Sequence, residues 1–256
     1  MIKKDNITDV AAVILAAGKG KRMKSDIPKV LHTVGGRPIM EYVINTVKSL
    51  GIKKVVVVVG HKGEMVADFL KPYQIDLVWQ KELLGTGHAL AQTKSVLSGF
   101  RGTILVLCGD VPFLSTQTIK ELIQTYRRTD ASATVLTAVL EYPQGYGRVI
   151  RSPDDFVEKI VEDKDATPEE RREKEINTGT FCFDSGLIFS VLDQVKRGNQ
   201  QGEYYLTDVV KIMRKNNRKV SAFKASNFKE TMGINSLEQL QQMERLLANG
   251  EIKVNV

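Results

Sequence analysis

Apolar runs alternate with segments of helical spacing through the first half of the chain. Four runs contain almost no charged position and predict buried strands, at residues 10–15, 55–59, 103–107 and 133–139. Four intervening segments repeat apolar residues at helical intervals and predict helices, at residues 40–50, 64–70, 88–97 and 116–126. Ser115 is suited to cap the last of these helices. Together they predict an α/β fold built on a Rossmann-like, doubly wound and mostly parallel sheet.

The second half of the chain has a different pattern. Residues 145–148 predict a turn, while residues 157–162 and 180–183 alternate more like exposed strands. Residues 167–170 combine a capping threonine, a first-turn proline and an acid, which predicts a short charged helix. A closing helix that ends near Gly250 is indicated by one apolar stripe: Leu237, Leu240, Met243, Leu246 and Leu247.

These changes of pattern predict two parts within one domain over residues 1–235. The first part, about residues 1–141, forms the sheet core, and the second, about 142–235, forms a smaller lobe for the substrate. The C-terminal helix and tail then occupy residues 236–256.

Composition narrows the classes of protein to consider. The chain has 256 residues, of which 42% are hydrophobic and 26% charged, and these values are typical of globular domains. Cys108 and Cys182 lie far apart without metal-site spacing, so we expect a reducing compartment and no disulfide framework. No apolar run approaches the roughly 20 residues of a membrane span, and the start lacks the apolar core of a signal peptide. We therefore expect a cytoplasmic protein without a membrane partner.

The net charge of +7 is modest, and basic residues cluster in one loop. This loop reads L-A-A-G-K-G-K-R-M from Leu15 and follows the first predicted strand. Its small residues, among them Ala16 and Gly18, leave backbone N–H groups accessible to phosphates, and Arg22 and Lys29 add positive charge. The loop matches neither the dinucleotide glycine pattern nor the P-loop. We interpret it as a phosphate-binding loop; the alternative is a glycine turn with a solvated basic face.

A small polyanion explains the positive charge as well as nucleic acid would, and no RNA- or DNA-binding motif is present. We therefore expect no nucleic-acid partner.

Asp110 follows another predicted buried strand and should lie at the same sheet edge as the loop. A carboxylate there is suited to hold Mg²⁺ on bound phosphates, although an aspartate that caps a turn remains the alternative. Gly85 and Thr86 begin a second glycine turn before a helix, whose amides could face a base or a phosphate. The Gln80 side chain offers a donor and an acceptor, which suit the imide edge of uracil or thymine.

These motifs resemble the uridyltransferase domain of the bifunctional N-acetylglucosamine-1-phosphate uridyltransferase/glucosamine-1-phosphate acetyltransferase family. The resemblance covers about residues 10–247. The loop motif is shared by many sugar nucleotidyltransferases. The more specific motifs are L-G-T-G-H-A from Leu84, I-N-T-G from Ile176 and G-E-Y-Y-L-T-D from Gly202. Further matches are S-D-I-P-K-V-L-H from Ser25, G-D-V-P from Gly109, G-Y-G-R from Gly145, V-E-D-K-D-A from Val161 and G-I-N from Gly233.

The resemblance implies a role for each matching position. The uridine would be held by Ala16, Gly18, Gln80, Gly85 and Thr86. Arg22 and Lys29 would bind the triphosphate and act in catalysis through their positive charge. The Mg²⁺ cofactor would be bound by Asp110 and Asn235. The sugar phosphate would be met by Gly147, Glu162, Asn177 and Thr207. The substrates would be UTP and a sugar-1-phosphate, and the product would be UDP-N-acetylglucosamine, a peptidoglycan precursor.

Three departures from the family pattern leave alternatives open. Leu83 stands where the family usually has Gln, and Cys108 stands where it usually has Tyr, so another sugar-1-phosphate, such as glucose-1-phosphate, or dTTP could be the substrate. The β-helix acetyltransferase half, which also builds the family's trimer, is absent from the sequence, which leaves that second activity and the oligomeric state open. A nucleotide-sugar sensor without catalysis is a further alternative.

Overall fold

The computed structural model describes residues 7–253. Its strands are β1 (Val10–Ala16), β2 (Thr33–Val34), β3 (Arg37–Pro38), β4 (Lys54–Val59), β5 (Asp76–Trp79), β6 (Thr103–Cys108), β7 (Ala133–Val139), β8 (Arg148–Arg151), β9 (Val157–Val161), β10 (Glu175–Asp184) and β11 (Val220–Lys224). Its α-helices are α1 (Ile39–Ser49), α2 (Gly63–Leu70), α3 (Thr86–Ala91), α4 (Thr116–Thr129), α5 (Ile188–Leu192), α6 (Asp208–Lys215) and α7 (Leu237–Ala248).

The main sheet has the strand order β11-β7-β10-β6-β1-β4-β5. The neighbours of β1 and β4 run parallel to them, and β11 is parallel to β7, whereas β10 is antiparallel to both β6 and β7. The apolar runs of the sequence form the central strands, as expected for strands covered on both faces. A mostly parallel sheet is thereby confirmed.

Helices cover both faces of this sheet, which confirms the doubly wound arrangement. Alternate residues of β1 point to opposite sides, so Val13 packs in one core cluster and Ile14 in the other. Helices α1, α2 and α4 bury apolar residues against the face of Ile14. Helices α3, α5 and α6 cover the face of Val13.

The expectation of an exposed strand at residues 180–183 is wrong. These residues belong to β10, which lies between β6 and β7 inside the sheet. Phe181 and Phe183 pack in one core cluster and Cys182 packs in the other, all nearly free of solvent contact. Thr180 and Cys182 alternate with the two phenylalanines, and this alternation resembles the pattern of a strand with one solvent-exposed face. In the structure both of these small side chains are buried.

The sheet also continues across the predicted division at residue 141. Strands β10 and β11 fall in the range assigned to the substrate lobe, yet both are hydrogen-bonded into the main sheet. Within that range, β8 and β9 form an antiparallel hairpin off the main path, and this hairpin joins the sheet through a pair between Ile176 and Arg148. Arg148, the last residue of the predicted turn, is instead the first residue of strand β8.

Two other predictions differ in detail. The predicted charged helix is one 3₁₀ turn, Glu170–Arg172, although its capping box forms: Thr167 Oγ1 accepts from Glu170 N, and Glu170 Oε2 accepts from Thr167 N. Helix α3 ends at Ala91, short of the predicted position. The predicted cap of α4 is confirmed, since Ser115 Oγ accepts from Thr118 N at 3.0 Å.

The C-terminal helix α7 packs most of its predicted apolar stripe on a third cluster, beside the sheet, but Leu237 of that stripe is 45% exposed and lies outside the cluster. Met243 of α7 joins Met23, Phe113 and Ile234 there, each nearly fully buried. This cluster ties α7 to the basic loop after β1. Among residues 7–253, none of the helices has the length and apolar character needed to cross a membrane.

Candidate active site

A cavity of about 700 Å³ opens at the carboxyl ends of the parallel strands. The register brings Ala16, Val59 and Cys108 to one edge of the sheet, because Ala16 pairs with Val59 and Leu15 pairs with Cys108. We call this space the main cavity. Nine predicted site residues line it: Ala16, Gly18, Arg22, Lys29, Gln80, Gly85, Thr86, Asp110 and Asn235. Ligands of such sheets bind at this edge, so its position agrees with the expectation from the sequence.

The basic loop forms one wall of the main cavity. Its residues Lys21–Met23 form a 3₁₀ turn, and Met23 is anchored in the third cluster while Arg22 is exposed. Gly18 has open space around it, because a Cβ built there meets no atom within 4 Å. A buried methionine thus fixes a loop whose cations and backbone face the cavity.

Lys29 links the two residues predicted to bind metal. Its Nζ donates to Asp110 Oδ2 and, at 2.8 Å, to Asn235 Oδ1. The side chains of Lys29 and Asp110 are 16% and 17% exposed, so the pair is mostly shielded from water. Both oxygens therefore converge on one positive charge, although their positions are 125 residues apart in the sequence.

Two hydrogen bonds of the backbone hold Asn235 beside Asp110. Ile234 N donates to Asp110 O at 2.9 Å, and Asn235 N donates to Gln239 Oε1 at 2.7 Å. Gln239 lies in the first turn of α7, which Ser236 Oγ caps by accepting from Gln239 N. The start of α7 thus fixes Asn235, and the sequence pattern alone gave no sign of this role for Gln239.

The oxygens of Asp110 and Asn235 fit a magnesium ion. Mg²⁺ is a hard cation that keeps several waters and needs only one or two protein ligands beside substrate phosphates. Within residues 7–253, the side chains of His, Cys, Asp and Glu nowhere gather in groups of three that could hold a metal. Asp110 Oδ2 and Asn235 Oδ1 both accept hydrogen bonds from the positively charged Lys29 ammonium. This pair of oxygens therefore suits a cation.

Gln80 is 4% exposed and follows β5 at the cavity edge. Its Nε2 donates to Gly85 O at 3.0 Å and lies 3.0 Å from His88 Nδ1. The sequence suggested that this amide offers both a donor and an acceptor to a base. In the structure Nε2 makes both of these contacts, so Oε1 is the atom of this amide that is left for a ligand.

The glycine turn at Gly85 is locked to a distant segment. Gly87 N donates to Tyr204 O at 2.8 Å, and Tyr204 N donates to Leu84 O at 2.7 Å. Gly85 has a φ of +107°, and a Cβ there would lie 2.7 Å from Tyr204 O. Thr86 Oγ1 accepts from Leu206 N at 3.1 Å. The turn therefore needs glycine both for its backbone conformation and for its close approach to this segment.

The other four predicted site residues do not line the main cavity and lie together beside it. We call Gly147, Glu162, Asn177 and Thr207 the Glu162 cluster. Thr207 Oγ1 donates to Glu162 Oε1 at 3.0 Å, and Asn177 N donates to Gly147 O at 2.9 Å. A Cβ on Gly147 would lie 3.5 Å from the Glu162 carboxylate.

Burial raises the pKa of Glu162, and the hydrogen bond from Thr207 opposes that rise. Tyr146, next to Gly147, links this cluster to the main cavity: burial raises its pKa, and the negative charge of Asp110 raises it further. The charge of Asp110 in the main cavity therefore reaches Tyr146, at the edge of the Glu162 cluster.

The two positions that depart from the family pattern both line the main cavity. Cys108 Sγ donates to Gly179 O at 3.5 Å, and burial raises the pKa of this thiol to about 12, with Asp110 adding to the effect. Cys108 is therefore a neutral, small group in the wall. Leu83 packs close to Gly60.

Three further residues line the main cavity that the sequence did not single out: Lys164, Gln201 and Glu203. Lys164 Nζ donates to Gln201 Oε1 at 3.1 Å, so two distant segments meet at the rim. Lys164 follows Glu162 by two residues within the V-E-D-K-D-A motif, and this spacing is the one signal that could have identified it.

Solved structures share this fold. A putative glucose-1-phosphate thymidylyltransferase from Bacillus anthracis, in complex with a sucrose, superposes with a TM-score of 0.73 at 20% identity, over 93% of this chain and 94% of that one. UDP-glucose pyrophosphorylase complexed with UDP-glucose superposes with a TM-score of 0.74 at 20% identity, over 94% and 98% of the two chains. At this level of identity the likeness establishes the fold.

Curated relatives are more similar in sequence. The bifunctional protein GlmU of Bacillus cereus (strain AH187) and that of Bacillus mycoides (strain KBAB4) are each 48% identical over 238 residues. These matches cover 93% of this chain and 52% of each relative, so the chain spans about half the length of the curated relatives it matches.

A family model described as the MobA-like NTP transferase domain matches residues 12–170. This range holds the basic loop, Lys29, the Gly85 turn, Asp110 and Glu162, and it is more than half of the chain. The chain belongs to the family of MobA-like NTP transferase domains.

Proposed function

We propose that this chain is a uridyltransferase that makes UDP-N-acetylglucosamine and pyrophosphate from UTP and N-acetylglucosamine-1-phosphate. The observation that carries the proposal is the main cavity, where Lys29, Asp110 and Asn235 converge beside the glycine-rich basic loop. The 48% identity to the GlmU proteins over 93% of the chain supports the choice of substrates.

In the proposed reaction, an oxygen of the sugar phosphate attacks the α-phosphorus of UTP in line. The new O–P bond forms as the bond to the β-phosphate oxygen breaks, and pyrophosphate leaves with that electron pair. The attacking phosphate has a second pKa near 6 and is already an anion at neutral pH, so the chain needs no general base. Positioning and neutralisation of charge are then the main sources of catalysis.

Each part of the site has a role in this proposal. Arg22 and Lys29 neutralise charge on the triphosphate, while the loop amides near Gly18 approach its oxygens. The uridine lies against Ala16, Gly18, Gln80, Gly85 and Thr86. The sugar phosphate meets the Glu162 cluster of Gly147, Glu162, Asn177 and Thr207. Asp110 and Asn235 would hold Mg²⁺, which when bound supplies positive charge to the phosphates.

Pyrophosphate release from UTP and N-acetylglucosamine-1-phosphate, followed with and without magnesium, tests the proposal. We expect turnover that requires both substrates and the divalent ion, and we expect Asp110→Ala to abolish the magnesium-dependent part. Absence of pyrophosphate release together with clear binding of a UDP-sugar would overturn the proposal and favour a nucleotide-sugar sensor. Unchanged activity of Asp110→Ala would return this residue to a purely structural role.

Cys108 favours a second candidate, the same chemistry on another pair of substrates. Its thiol is small and lines the main cavity, so it leaves room that a larger side chain would fill. A panel of glucose-1-phosphate and N-acetylglucosamine-1-phosphate, each with UTP and dTTP, separates the candidates by kcat/KM. A preference for glucose-1-phosphate or dTTP would replace the first proposal by the second.

A further inference from the structure

His88 stands between two glutamine side chains beside the main cavity. His88 Nδ1 lies 3.0 Å from Gln80 Nε2, and His88 Nε2 lies 3.0 Å from Gln92 Nε2. The imidazole ring also stacks on the ring of Tyr204, with centroids 6.1 Å apart and planes inclined by 27°. Tyr204 is itself hydrogen-bonded through its backbone to Leu84 and Gly87, so the ring rests on a fixed support.

A backbone carbonyl settles the orientation of the Gln80 amide. Gly85 O can only accept a hydrogen bond, and it lies 3.0 Å from Gln80 Nε2. The opposite orientation would bring two carbonyl oxygens to that distance, where they repel. Nε2 is therefore the donor to Gly85, and its second hydrogen is directed at His88 Nδ1, which accepts. A neutral imidazole has one unprotonated nitrogen, so His88 Nε2 then carries the proton, and the partly exposed Gln92 must turn its amide oxygen to that N–H.

This arrangement leaves one group of Gln80 for a ligand. Both hydrogens of Nε2 are engaged, and among residues 7–253 no donor reaches Oε1. Gln80 is 4% exposed and lines the main cavity, so Oε1 is an acceptor that has no protein partner among residues 7–253 and remains available to a ligand in the cavity. An unpaired acceptor in a nearly buried side chain favours a ligand that donates and disfavours one that presents a lone pair.

We propose that His88 is a positioning residue that selects the pyrimidine. By accepting from Gln80 Nε2, it keeps Gln80 Oε1 as the acceptor that faces the base. Uracil and thymine donate from N3–H to such an acceptor, whereas N3 of cytosine carries a lone pair and is repelled. This inference rests on the proposed function, because it assumes that the base binds at Gln80. It adds that the selection of UTP over CTP depends on a residue that need not touch the nucleotide.

Two substitutions of His88 separate this role from general packing. The oxygen of an Asn side chain can occupy the position of Nδ1, so His88→Asn retains the acceptor for Gln80. The amide nitrogen of a Gln side chain reaches the position of Nε2, so His88→Gln retains a donor for Gln92 and loses the acceptor for Gln80. Both variants are polar and smaller than or similar to histidine in volume.

The experiment measures kcat and KM for UTP and for CTP in the wild type and both variants, with thermal melting as a check of folding. We expect His88→Gln to raise the KM for UTP about tenfold, the effect of one lost hydrogen bond, and to narrow the UTP/CTP preference by the same factor. The kcat at saturating UTP should stay within about twofold. His88→Asn should restore both the KM and the preference.

Equal behaviour of the two variants, or an unchanged UTP/CTP preference in His88→Gln, would overturn the inference. If His88→Gln melts below the assay temperature, His88→Leu takes its place, because leucine also lacks the acceptor. A wild type that neither binds nor turns over UTP would overturn the proposed function as well. If the wild type turns over UTP and His88→Gln has the same KM for UTP and the same UTP/CTP preference as the wild type, this inference alone is overturned.

Discussion

The main cavity and the Glu162 cluster lie side by side but are built in different ways. Most of the main cavity comes from loops that follow parallel strands in the first 110 residues, and their alignment results directly from the register of β1 with β4 and β6. The Glu162 cluster instead draws one residue each from the regions of β8, β9 and β10 and from the start of α6. The topology of a doubly wound sheet is enough to form the main cavity, whereas the Glu162 cluster depends on the β8–β9 hairpin.

The two regions also differ in their electrostatics. The main cavity presents Lys19, Lys21 and Arg22 on exposed loop positions, with Lys29 partly shielded behind them. The Glu162 cluster holds a carboxylate whose burial raises its pKa and a threonine that is 4% exposed. Our proposal therefore assigns recognition to charge in the first region and to buried hydrogen bonds in the second. Each of the following substitutions tests that division.

Removal of Lys29 should have the largest effect. Lys29→Ala deletes the ammonium that binds Asp110 and Asn235, and we expect turnover to fall by about 10²- to 10³-fold, as for loss of one electrostatic stabiliser. Pyrophosphate release at saturating substrates measures the effect. Lys19→Ala is the matched control, because Lys19 also lines the cavity but is exposed. A similar loss in both variants would mean that total charge matters and the position of Lys29 does not.

A methyl group at Gly85 should have the next largest effect. Gly85→Ala combines a φ of +107° with a Cβ 2.7 Å from Tyr204 O, so we expect about 2 kcal/mol or more of destabilisation. The KM for UTP should rise as the turn moves away from the cavity. Chemical denaturation and steady-state kinetics measure the two effects.

Gly36→Ala is the control for this substitution. Gly36 has a φ of +77°, yet a Cβ there meets nothing within 4 Å, so the variant isolates the cost of the backbone conformation. If Gly85→Ala lowers the free energy of unfolding and raises the KM for UTP no more than Gly36→Ala does, the close approach of Gly85 to the segment at Tyr204 has no role in the site.

The same contrast explains how much the sequence could predict. The apolar runs and the basic loop identified the buried strands, the sheet edge and Asp110, because these features follow from local pattern and parallel topology. The residues of the Glu162 cluster were reached only through the resemblance to a family. Nothing in local periodicity indicates that Thr207 meets Glu162, since their contact depends on where α6 packs against β9. The burial of β10 was missed for the same reason.

Removal of the Thr207 hydroxyl should affect the sugar phosphate and leave the nucleotide unaffected. Thr207→Val keeps the side-chain shape but deprives Glu162 Oε1 of its donor, and we expect about a tenfold rise in the KM for the sugar phosphate. The KM for UTP should change by less than twofold. Thr180→Val is the control, because Thr180 Oγ1 is buried without a hydrogen-bond partner among residues 7–253. An equal rise in both KM values would contradict the division between the two regions.

The smallest expected effect concerns stability and its dependence on pH. Burial raises the pKa of Glu162 above its ordinary value of 4.5, so ionisation of this carboxyl group opposes folding. A raised carboxyl pKa contributes stability at pH values below the ordinary pKa, and that contribution is lost as the pH rises through the folded-state value. Glu162→Gln removes the ionisation while its oxygen can still accept from Thr207.

We therefore expect Glu162→Gln to gain in Tm relative to the wild type at pH 7.5, and the gain to shrink as the pH approaches 4.5. Differential scanning fluorimetry across this range measures it, with Glu173→Gln, at an exposed position, as a control that should show no such trend. A variant that loses stability at pH 7.5 would mean that the carboxylate is stabilised where it lies. The Glu162 cluster would then resemble the main cavity, and the contrast between buried hydrogen bonds and exposed charge would not hold.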